Sequence, residues 1–254
     1  MKIKFITVNI WFGGKIWDNL TSYIKEERPD ILAIQEVYDG KEAVLEKRFR
    51  TIEEFHREFP ELPYSIFEPT AYDTGINVEW GNAIFSKFPI SNPRNIFFNL
   101  PHTRYDFQID PDPSLAAEGM VVGDIDINGK IVTVGSWHGV WDHHGFDTEN
   151  RDIMVSNIIK TLSGKDNLIL AGDTNMNPDT NGIQRVLKEL NLVSVFGNSL
   201  KSTFNMKQKE NPGNYDSSPV DMVLLSPQFK IVSKKMPEVD VSDHFPLEVE
   251  LEIT

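Results

Sequence analysis

Short apolar segments that end in a polar residue recur along the whole chain, and this pattern constrains the fold more than any other feature. The segment ILAIQEV (31–37) carries Glu36 near its end, and the segment NLILAGD (167–173) ends at Asp173. Such segments have the length and composition of buried β-strands. Because ligand sites commonly form where strands end at one edge of a sheet, the pattern predicts that polar residues from distant parts of the chain converge there.

Helical patterns alternate with these strands along the sequence. The spacing of apolar residues predicts strands at 3–10, 31–37, 64–68, 82–86, 121–127, 130–138, 167–173, 219–225, 229–235 and 245–253, and helices at 15–27, 41–59, 148–162 and 181–190. The alternating runs on either side of the Asn-Gly pair at 128–129 predict a β-hairpin. Asp147 or Thr148 is expected to cap the third helix, and the stretches 99–119 and 205–219 are expected to form loops.

The length and patterning favour one domain. The chain has 254 residues, a usual length for one large domain, and no repeat or linker divides it, so a single domain 1–254 with an α/β (α+β) layered fold is expected. No apolar run approaches the ~18 residues that span a bilayer. The N-terminal sequence MKIKFITVNIW alternates like a strand and lacks the apolar core of a signal peptide, which predicts a cytoplasmic protein without membrane insertion.

The charge and the absence of cysteine restrict the chemistry. The formal net charge is −13, and the sequence contains no cysteine. Disulfides, thiolate metal sites and cysteine nucleophiles are therefore excluded. An acidic balance disfavours a protein that binds nucleic acid by charge alone. It is compatible with a nuclease, because a bound metal ion adds positive charge to an acidic site.

The polar residues at the predicted strand ends form one candidate set. Its members are Asn9, Glu36, His138, Asp173, Asn175, Asp221, Asp243 and His244. Each has a structural alternative when taken alone: Glu36 can form an ion pair, and Asp173 can occupy a turn. Asp221 lies inside the apolar run PVDMVLL, where a buried carboxylate is costly unless it has a partner. The recurrence of such residues at strand ends favours a common site.

Seven motifs in this order resemble the endonuclease/exonuclease/phosphatase superfamily, which includes pancreatic-type deoxyribonucleases, abasic-site endonucleases, inositol polyphosphate 5-phosphatases and neutral sphingomyelinases. They are TVNIW (7–11), DILAIQEV (30–37), GNAIFSKFPI (81–90), SWHG (136–139), LAGDTNMNP (170–178), PVDMVLL (219–225) and SDHFPL (242–247). They span nearly the whole chain. The combination of GDTN with a C-terminal SDH is specific, whereas either motif alone is not.

The resemblance implies a role for each residue of the set. Glu36, Asn9 and Asp243 would hold Mg²⁺, with Mn²⁺ as a substitute, since magnesium prefers oxygen ligands. Asp173 would hold the attacking water. His138 and Asn175 would bind the phosphate, His244 would contact its oxygens or take the proton of the water, and Asp221 would orient His244. Whether Asp173 or His244 is the general base stays open.

The resemblance also implies an architecture. Two mixed, mainly antiparallel sheets would pack face to face in a four-layer sandwich with helices outside, and the protein would be a monomer. The core would come from Ile6, Val8, Leu32, Ile34, Ile84, Val132, Val134, Leu168, Leu170, Val223 and Leu225.

The resemblance leaves several substrates open. A phosphodiester, nucleic acid (DNA or RNA) included, is the expected substrate. A phosphomonoester, a lipid phosphodiester and a noncatalytic binding module are the alternatives. Trp11 stands where abasic-site endonucleases carry an acidic residue, which disfavours that activity. Asn82 and Arg104 are further candidates for substrate binding, Asn82 from the strand-entry motif and Arg104 from the 99–119 loop, where it would clamp a phosphate.

Overall fold

The fold was examined in a computed structural model that describes residues 1–107, 109, 116–209 and 217–253. Within these ranges the strands are β1 (Lys2–Asn9), β2 (Ile31–Asp39), β3 (Tyr64–Asp73), β4 (Val78–Ser86), β5 (Ile90–Phe97), β6 (Thr103–Tyr105), β7 (Gly119–Ile127), β8 (Lys130–His138), β9 (Leu168–Asp173), β10 (Val193–Ser194), β11 (Asp221–Leu225), β12 (Lys230–Lys235) and β13 (Leu247–Glu252). The helices are α1 (Trp11–Gly14), α2 (Trp17–Glu27), α3 (Thr51–Glu58), α4 (Glu149–Leu162) and α5 (Asn181–Glu189).

The strands form two mixed sheets. The first has the order β12-β13-β1-β2-β4-β3-β6, and the second has the order β10-β11-β9-β8-β7-β5. The pairs β1/β2 and β3/β6 of the first sheet and β8/β9 of the second are parallel, and the other pairs are antiparallel. The predicted mixed, mainly antiparallel sheets are therefore confirmed.

Three apolar clusters separate four layers. Phe5 and Ala33 of the first sheet meet Val134 and Val223 of the second between the sheets. On the outer face of the first sheet, β1 and β2 pack against α2 and α3. On the outer face of the second sheet, β8 and β9 pack against α4 and α5. Alternate residues of one strand point to opposite faces, so each central strand serves two clusters. The predicted four-layer α/β sandwich is confirmed.

All of the predicted core residues are buried, but they belong to different clusters. Val132 and Val134 lie between the sheets, whereas Ile6 and Ile34 face the helices on the first sheet. Leu168 faces the helices on the second sheet. A sequence pattern shows that a strand is buried on both faces but not which face meets the other sheet.

The predicted hairpin and helix cap are confirmed. Ile127 pairs with Lys130, and the two turn residues between them have φ values of 56° and 88°, which a two-residue hairpin turn requires. Thr148 caps α4 by accepting a hydrogen bond from the backbone N–H of Arg151. The Asp147 carboxylate instead accepts the backbone N–H groups of Asn181 and Gly182 at the start of α5, both at 2.9 Å.

Some predicted elements were wrong in extent. The helix expected over 41–59 begins only at Thr51, after a short 3-10 helix, and Val44, assigned to its apolar face, is 86% exposed. The preceding segment instead closes onto the end of β2, because the backbone N–H of Gly40 donates to the carbonyl of Phe49. The expected loop 99–119 contains β6, and β5 and β10 were not predicted. Residues 108, 110–115 and 210–216 of the expected loops lie outside the described residues.

The described part of the chain contains no helix that is long and apolar enough to cross a membrane.

Candidate active site

The topology brings the candidate residues to one edge of both sheets. β8 and β9 are parallel and pair His138 with Asp173 at their ends. β11 runs antiparallel to β9, so its first residue, Asp221, also pairs with Asp173. In the first sheet, Asn9 ends β1, and His244 lies shortly before β13, which runs antiparallel to β1. Strand ends and strand starts therefore meet at the same edge.

A cavity of about 320 Å³ opens at this edge. Its polar lining residues are Glu36, Glu118, His138, Asp173, Asn175, Lys209, Asp243 and His244. Its aromatic lining residues are Trp11, Phe12, Trp80, Phe107, Trp141 and Phe204. Asn9 and Asp221 are buried and do not line the cavity, but both bond to residues that do. The cavity thus combines an acidic, imidazole-bearing surface with aromatic walls.

Glu36 reaches the cavity because β2 is irregular at this point. The register between β2 and β4 shifts between Ile34 and Val37, and Glu36 has a φ of 62°. Left-handed backbone is strained for a residue with a side chain and is concentrated at functional sites. The carboxylate accepts hydrogen bonds from Asn9 Nδ2 at 2.9 Å and from the backbone N–H of Phe12 at 2.7 Å.

A left-handed turn follows β1 and supports Glu36. The four residues of α1 have positive φ values, from 48° at Phe12 to 96° at Gly14. This turn aims the N–H of Phe12 at Glu36 and the N–H of Trp11 at Asn9 Oδ1, which lies 3.0 Å away. Gly13 is required here, because a Cβ atom would lie 2.1 Å from the carbonyl oxygen of Arg48.

Asn9 lies between two carboxylates. Its Nδ2 donates to Glu36 and, at 3.3 Å, to Asp173 Oδ2, while its Oδ1 accepts the Trp11 N–H. Asn9 was predicted as an oxygen ligand of a metal ion. In this arrangement the amide nitrogen, not the oxygen, faces the carboxylates, and the side chain fixes Glu36 and Asp173 relative to each other.

Asp173 is held at the end of β9 by close packing of the backbone. The preceding Gly172 has a φ of 136°, and a Cβ atom there would lie 2.2 Å from the carbonyl oxygen of Trp137. Asp173 Oδ1 accepts the backbone N–H of Asn175 at 2.9 Å. The Asn175 side chain donates to the carbonyl of Gly139, also at 2.9 Å. These bonds leave Asp173 Oδ2 directed toward both imidazoles.

His244 is paired with Asp221 and faces Asp173. Its Nδ1 lies 2.8 Å from Asp221 Oδ2, and its Nε2 lies 3.7 Å from Asp173 Oδ2. Burial lowers the pKa of His244, but the carboxylates of Asp221 and Asp173 outweigh burial and raise the pKa to about 9. The two carboxylates therefore favour the imidazolium form of the ring.

His138 forms an ion pair with an acidic residue that was not predicted from the sequence. Its Nδ1 lies 2.9 Å from Glu118 Oε2, and its Nε2 lies 3.8 Å from Asp173 Oδ2 and 3.9 Å from Glu36 Oε1. Burial lowers the pKa of His138, yet these carboxylates, Glu118 foremost, raise it to about 10. Glu118 directly precedes β7, whose first residue pairs with His138. The sequence could have indicated this residue, because Glu118 lies just before the hairpin strand that pairs with the strand of His138.

Lys209 is a second site residue that was not predicted. Its Nζ lies 2.6 Å from Asp243 Oδ2 and 4.5 Å from the centre of the Phe204 ring. Asp243 Oδ1 in turn lies 3.3 Å from the hydroxyl of Ser242, which donates to the backbone carbonyl of Asn9. The acidic residue before β13 is thus fixed between a lysine and the end of β1.

A buried arginine anchors the loop that carries Trp141. The guanidinium of Arg151 donates to the backbone carbonyls of Val140, at 3.2 Å, and Asp142, at 2.9 Å, and also to that of Phe146. The planar guanidinium directs five N–H donors along fixed directions, so one side chain can satisfy several carbonyls at once. Arg151 therefore shapes the wall that follows His138.

Comparison with known proteins identifies the family. Residues 6–244 match the model of the Endonuclease/Exonuclease/phosphatase family. The chain belongs to this family. No curated protein sequence matches it.

Solved structures of the family share the fold at low sequence identity. An endonuclease/exonuclease/phosphatase from Beutenbergia cavernae DSM 12333 has a TM-score of 0.78 and 16% identity, over 99% of this chain and 72% of that one. The catalytic domain of human Nocturnin with a bound sulfate anion has a TM-score of 0.70 and 18% identity, over 100% and 94%. A mannosyl-6-phosphatase from Bacteroides thetaiotaomicron VPI-5482 has a TM-score of 0.69 and 17% identity, over 99% and 100%.

Two predicted substrate-binding residues are not brought into the cavity of this family member. Asn82 is buried in β4 and donates to the carbonyl of Gly119 at 2.9 Å, which ties the two sheets together beside Glu118. Arg104 lies exposed on the edge strand β6, with its guanidinium 4.4 Å from the centre of the Tyr72 ring. Neither side chain lines the cavity.

The acidic residues of the cavity suit a divalent cation. Burial and the Asp243 carboxylate raise the pKa of Glu36 against the attraction of His138, so a cation between Glu36 and Asp243 would relieve their repulsion. Asp173, Asp221 and His244 also offer donor atoms within 4.8 Å of one another. That second group is a further place where a cation could be held. Glu36 and Asp243 offer the carboxylate oxygens that hard divalent cations bind.

Proposed function

We propose that this protein is a divalent-metal-dependent phosphoesterase that hydrolyses a phosphodiester through an activated water. The observation that carries the proposal is the convergence of Glu36, Asp173, Asp243 and two imidazoles in one cavity at the shared edge of the sheets. Such a set provides cation binding, a base and charge stabilisation within one site, as phosphoryl transfer to water requires. Membership of the family supports the same reaction class.

Glu36 and Asp243 would hold Mg²⁺, for which Mn²⁺ would substitute, and Asn9 would keep Glu36 in place. When bound, the ion supplies Lewis-acid stabilisation of the negative charge on the phosphate. Two carboxylates, with water completing the coordination, are the usual protein contribution to a magnesium site.

Asp173 would accept the proton of the attacking water. His244 is held as a cation by Asp221 and so serves as a donor to the phosphate rather than as the base. The water oxygen forms the new bond to phosphorus, the bond to the leaving oxygen breaks, and the water proton passes to Asp173. His244 lies 3.7 Å from Asp173, so both groups act on the same phosphate.

His138 and Asn175 would bind the nonbridging oxygens. His138 is held as a cation by Glu118, and the Asn175 amide is oriented by its bond to Gly139. Donors fixed before the substrate arrives stabilise developing charge without reorganisation.

The aromatic walls favour a diester over a monoester. Trp11, Phe12 and Phe107 flank the polar residues on the side of α1, and Trp141 and Phe204 belong to other segments of the lining. Walls from several segments provide apolar contact for an organic group on each side of the phosphate. A phosphomonoester is the second candidate, because the mannosyl-6-phosphatase of Bacteroides thetaiotaomicron shares the fold.

Hydrolysis of bis(p-nitrophenyl) phosphate tests the proposal, with p-nitrophenyl phosphate as the monoester comparison. We expect turnover of the diester with Mg²⁺, none with EDTA, and a fall of at least about 1000-fold in Asp173→Ala. Asp152→Ala removes an exposed carboxylate from α4 and serves as the matched control. Unchanged turnover in Asp173→Ala, or equal turnover in EDTA, would refute the proposal.

A further inference from the structure

A second cavity adjoins the first on the side of α1. It has a volume of about 430 Å³ and is lined by Trp11, Lys15, Ile16, Lys207, Gln208 and Lys209. Trp11 and Lys209 also line the cavity that holds Glu36 and Asp173. A ligand that fills the catalytic cavity can therefore extend past these two side chains into the second one, which we call the basic cleft.

The charge of the basic cleft is opposite to that of the protein. The chain has a net charge of −13, yet among the residues that the structure describes, three of the six that line the cleft are lysines and none is acidic. Lys209 is ion-paired with Asp243, and an anion in the cavity would also be attracted by Lys15 and Lys207. The local charge thus indicates an anionic ligand where the average charge of the chain does not.

Two acidic residues of the described ranges lie beside the cleft, Asp243 next to Lys209 and Asp240 near Lys207. Asp240 is close enough for Lys207 to lower its pKa, although the hydrogen bonds from Gln208 and Asn205 lower it more. Its Oδ1 accepts from Gln208 Nε2 at 2.7 Å and from Asn205 Nδ2 at 2.8 Å. Asp240 therefore fixes the side chain of Gln208 in the cleft and is not part of the lining.

The two shared residues connect the cleft to the catalytic residues. Lys209 Nζ lies 2.6 Å from Asp243 Oδ2, so one lysine contacts the proposed metal ligand and lines the cleft. Lys15 Nζ lies 4.0 Å from the centre of the Trp11 ring, which holds this ammonium group at the wall between the cavities.

We propose that the basic cleft binds a second phosphate group of the substrate, covalently linked to the one that is hydrolysed. This proposal rests on the proposed phosphoesterase function and narrows its substrates to molecules that carry at least two phosphate groups. Phosphate is the anion that suits a cluster of lysines, which bind it as point charges. A nucleotide chain and a sugar bisphosphate both present this chemistry.

Competition against bis(p-nitrophenyl) phosphate hydrolysis, at saturating Mg²⁺, tests the proposal. One arm compares thymidine 3′,5′-bisphosphate with the 3′- and 5′-monophosphates, and the other compares fructose 1,6-bisphosphate with fructose 6-phosphate. We expect a bisphosphate of at least one pair to have an inhibition constant about tenfold below its monophosphates. A lower inhibition constant for the bisphosphate in the nucleotide pair alone would identify a nucleotide ligand. A lower constant in both pairs would show that the cleft binds the second phosphate through its charge alone.

Variants of the cleft decide whether the gain arises there. Lys15→Gln combined with Lys207→Gln should remove the advantage of the bisphosphate while leaving hydrolysis of the single-phosphate diester unchanged. Lys130→Gln combined with Lys160→Gln removes the same two charges from β8 and α4 and should keep the advantage. An absent advantage in both pairs, or an advantage that survives in the double variant, would overturn the proposal.

Binding separates the failure of this inference from the failure of the proposed function. If the wild-type protein hydrolysed no diester, quenching of tryptophan fluorescence by the bisphosphates would still report occupation of the cleft, since Trp11 lines it. Quenching that depends on Lys15 and Lys207 would support the cleft without the hydrolysis. Hydrolysis of the diester without tighter binding of any bisphosphate would refute the proposal for the cleft and leave the proposed function standing.

Discussion

Asp221 Oδ2 lies 2.8 Å from His244 Nδ1, and this bond joins the second sheet to the first at the catalytic edge. Asp221 opens β11 of the second sheet, whereas His244 precedes β13 of the first. Both side chains are buried, with 3% and 4% of their surface exposed. A carboxylate buried this deeply is tolerated when it has a charged partner, so the pair fixes the charge and the orientation of His244 together.

Asp221→Asn should lower kcat for bis(p-nitrophenyl) phosphate by at least about 100-fold with little change in KM. The amide keeps the shape of the carboxylate but removes the charge that raises the pKa of His244. The imidazolium is then lost at neutral pH, and the phosphate loses a cationic donor. Circular dichroism should show an intact fold. A variant with wild-type kcat would show that the charge of His244 is not used.

Glu36→Gln should weaken the binding of magnesium. The glutamine keeps the bonds at this position in part but replaces a charged oxygen donor by a neutral one. We expect the Mg²⁺ concentration for half-maximal activity to rise at least about tenfold. Magnesium should raise the melting temperature of the wild-type protein, because a ligand bound by the native state stabilises it, and this rise should be smaller in the variant. Equal magnesium curves for both proteins would exclude Glu36 as a ligand.

The stability of the metal-free protein should depend on His138 in alkaline solution. The folded pKa of His138, about 10, lies above its ordinary value of 6.5 because of Glu118 and the other carboxylates. A raised histidine pKa contributes stability that is complete below pH 6.5 and is lost as the pH rises through about 10. The difference in unfolding free energy between wild type and His138→Asn, measured in EDTA, should therefore shrink across this range. A constant difference would contradict the ion pair with Glu118.

The parts of the site that were predicted from the sequence lie at the ends of regular strands. His138 and Asp173 end apolar runs whose periodicity marks them as strands, and parallel pairing of those strands brings the two residues together. Asn9 lies near the end of the predicted strand 3–10 and Asp243 just before the last predicted strand, and the motif resemblance assigned their roles. Site residues at strand ends can therefore be predicted when the periodicity of the sequence identifies the strand.

The residues that were missed lie in segments without periodicity. Glu118 and Lys209 belong to stretches that were expected to be loops, and their roles depend on contacts with His138 and Asp243 that only the folded chain shows. The basic cleft was hidden for the same reason. The net charge averages over the whole surface, whereas Lys15 and Lys207, which are far apart in the sequence, line the same cavity.

Gly13→Ala should destabilise the protein by more than its backbone conformation alone explains. Gly13 has a φ of 77°, and a Cβ atom there would lie 2.1 Å from the carbonyl oxygen of Arg48. Gly164 has a φ of 75° with nothing within 4 Å of its Cβ position, so Gly164→Ala measures the cost of the conformation without a clash. That control should lose about 1 kcal/mol of unfolding free energy, and Gly13→Ala about 3 kcal/mol or more.

The additional loss of unfolding free energy should be accompanied by weaker magnesium binding in Gly13→Ala and not in Gly164→Ala. Displacing the left-handed turn moves the N–H of Phe12, which donates to Glu36 at 2.7 Å, and so loosens a carboxylate proposed to hold the metal. Urea denaturation and magnesium titration of activity measure the two effects separately. If both variants lost the same stability and kept the wild-type magnesium curve, the turn would have no part in holding Glu36. The four consecutive left-handed residues would then need another explanation.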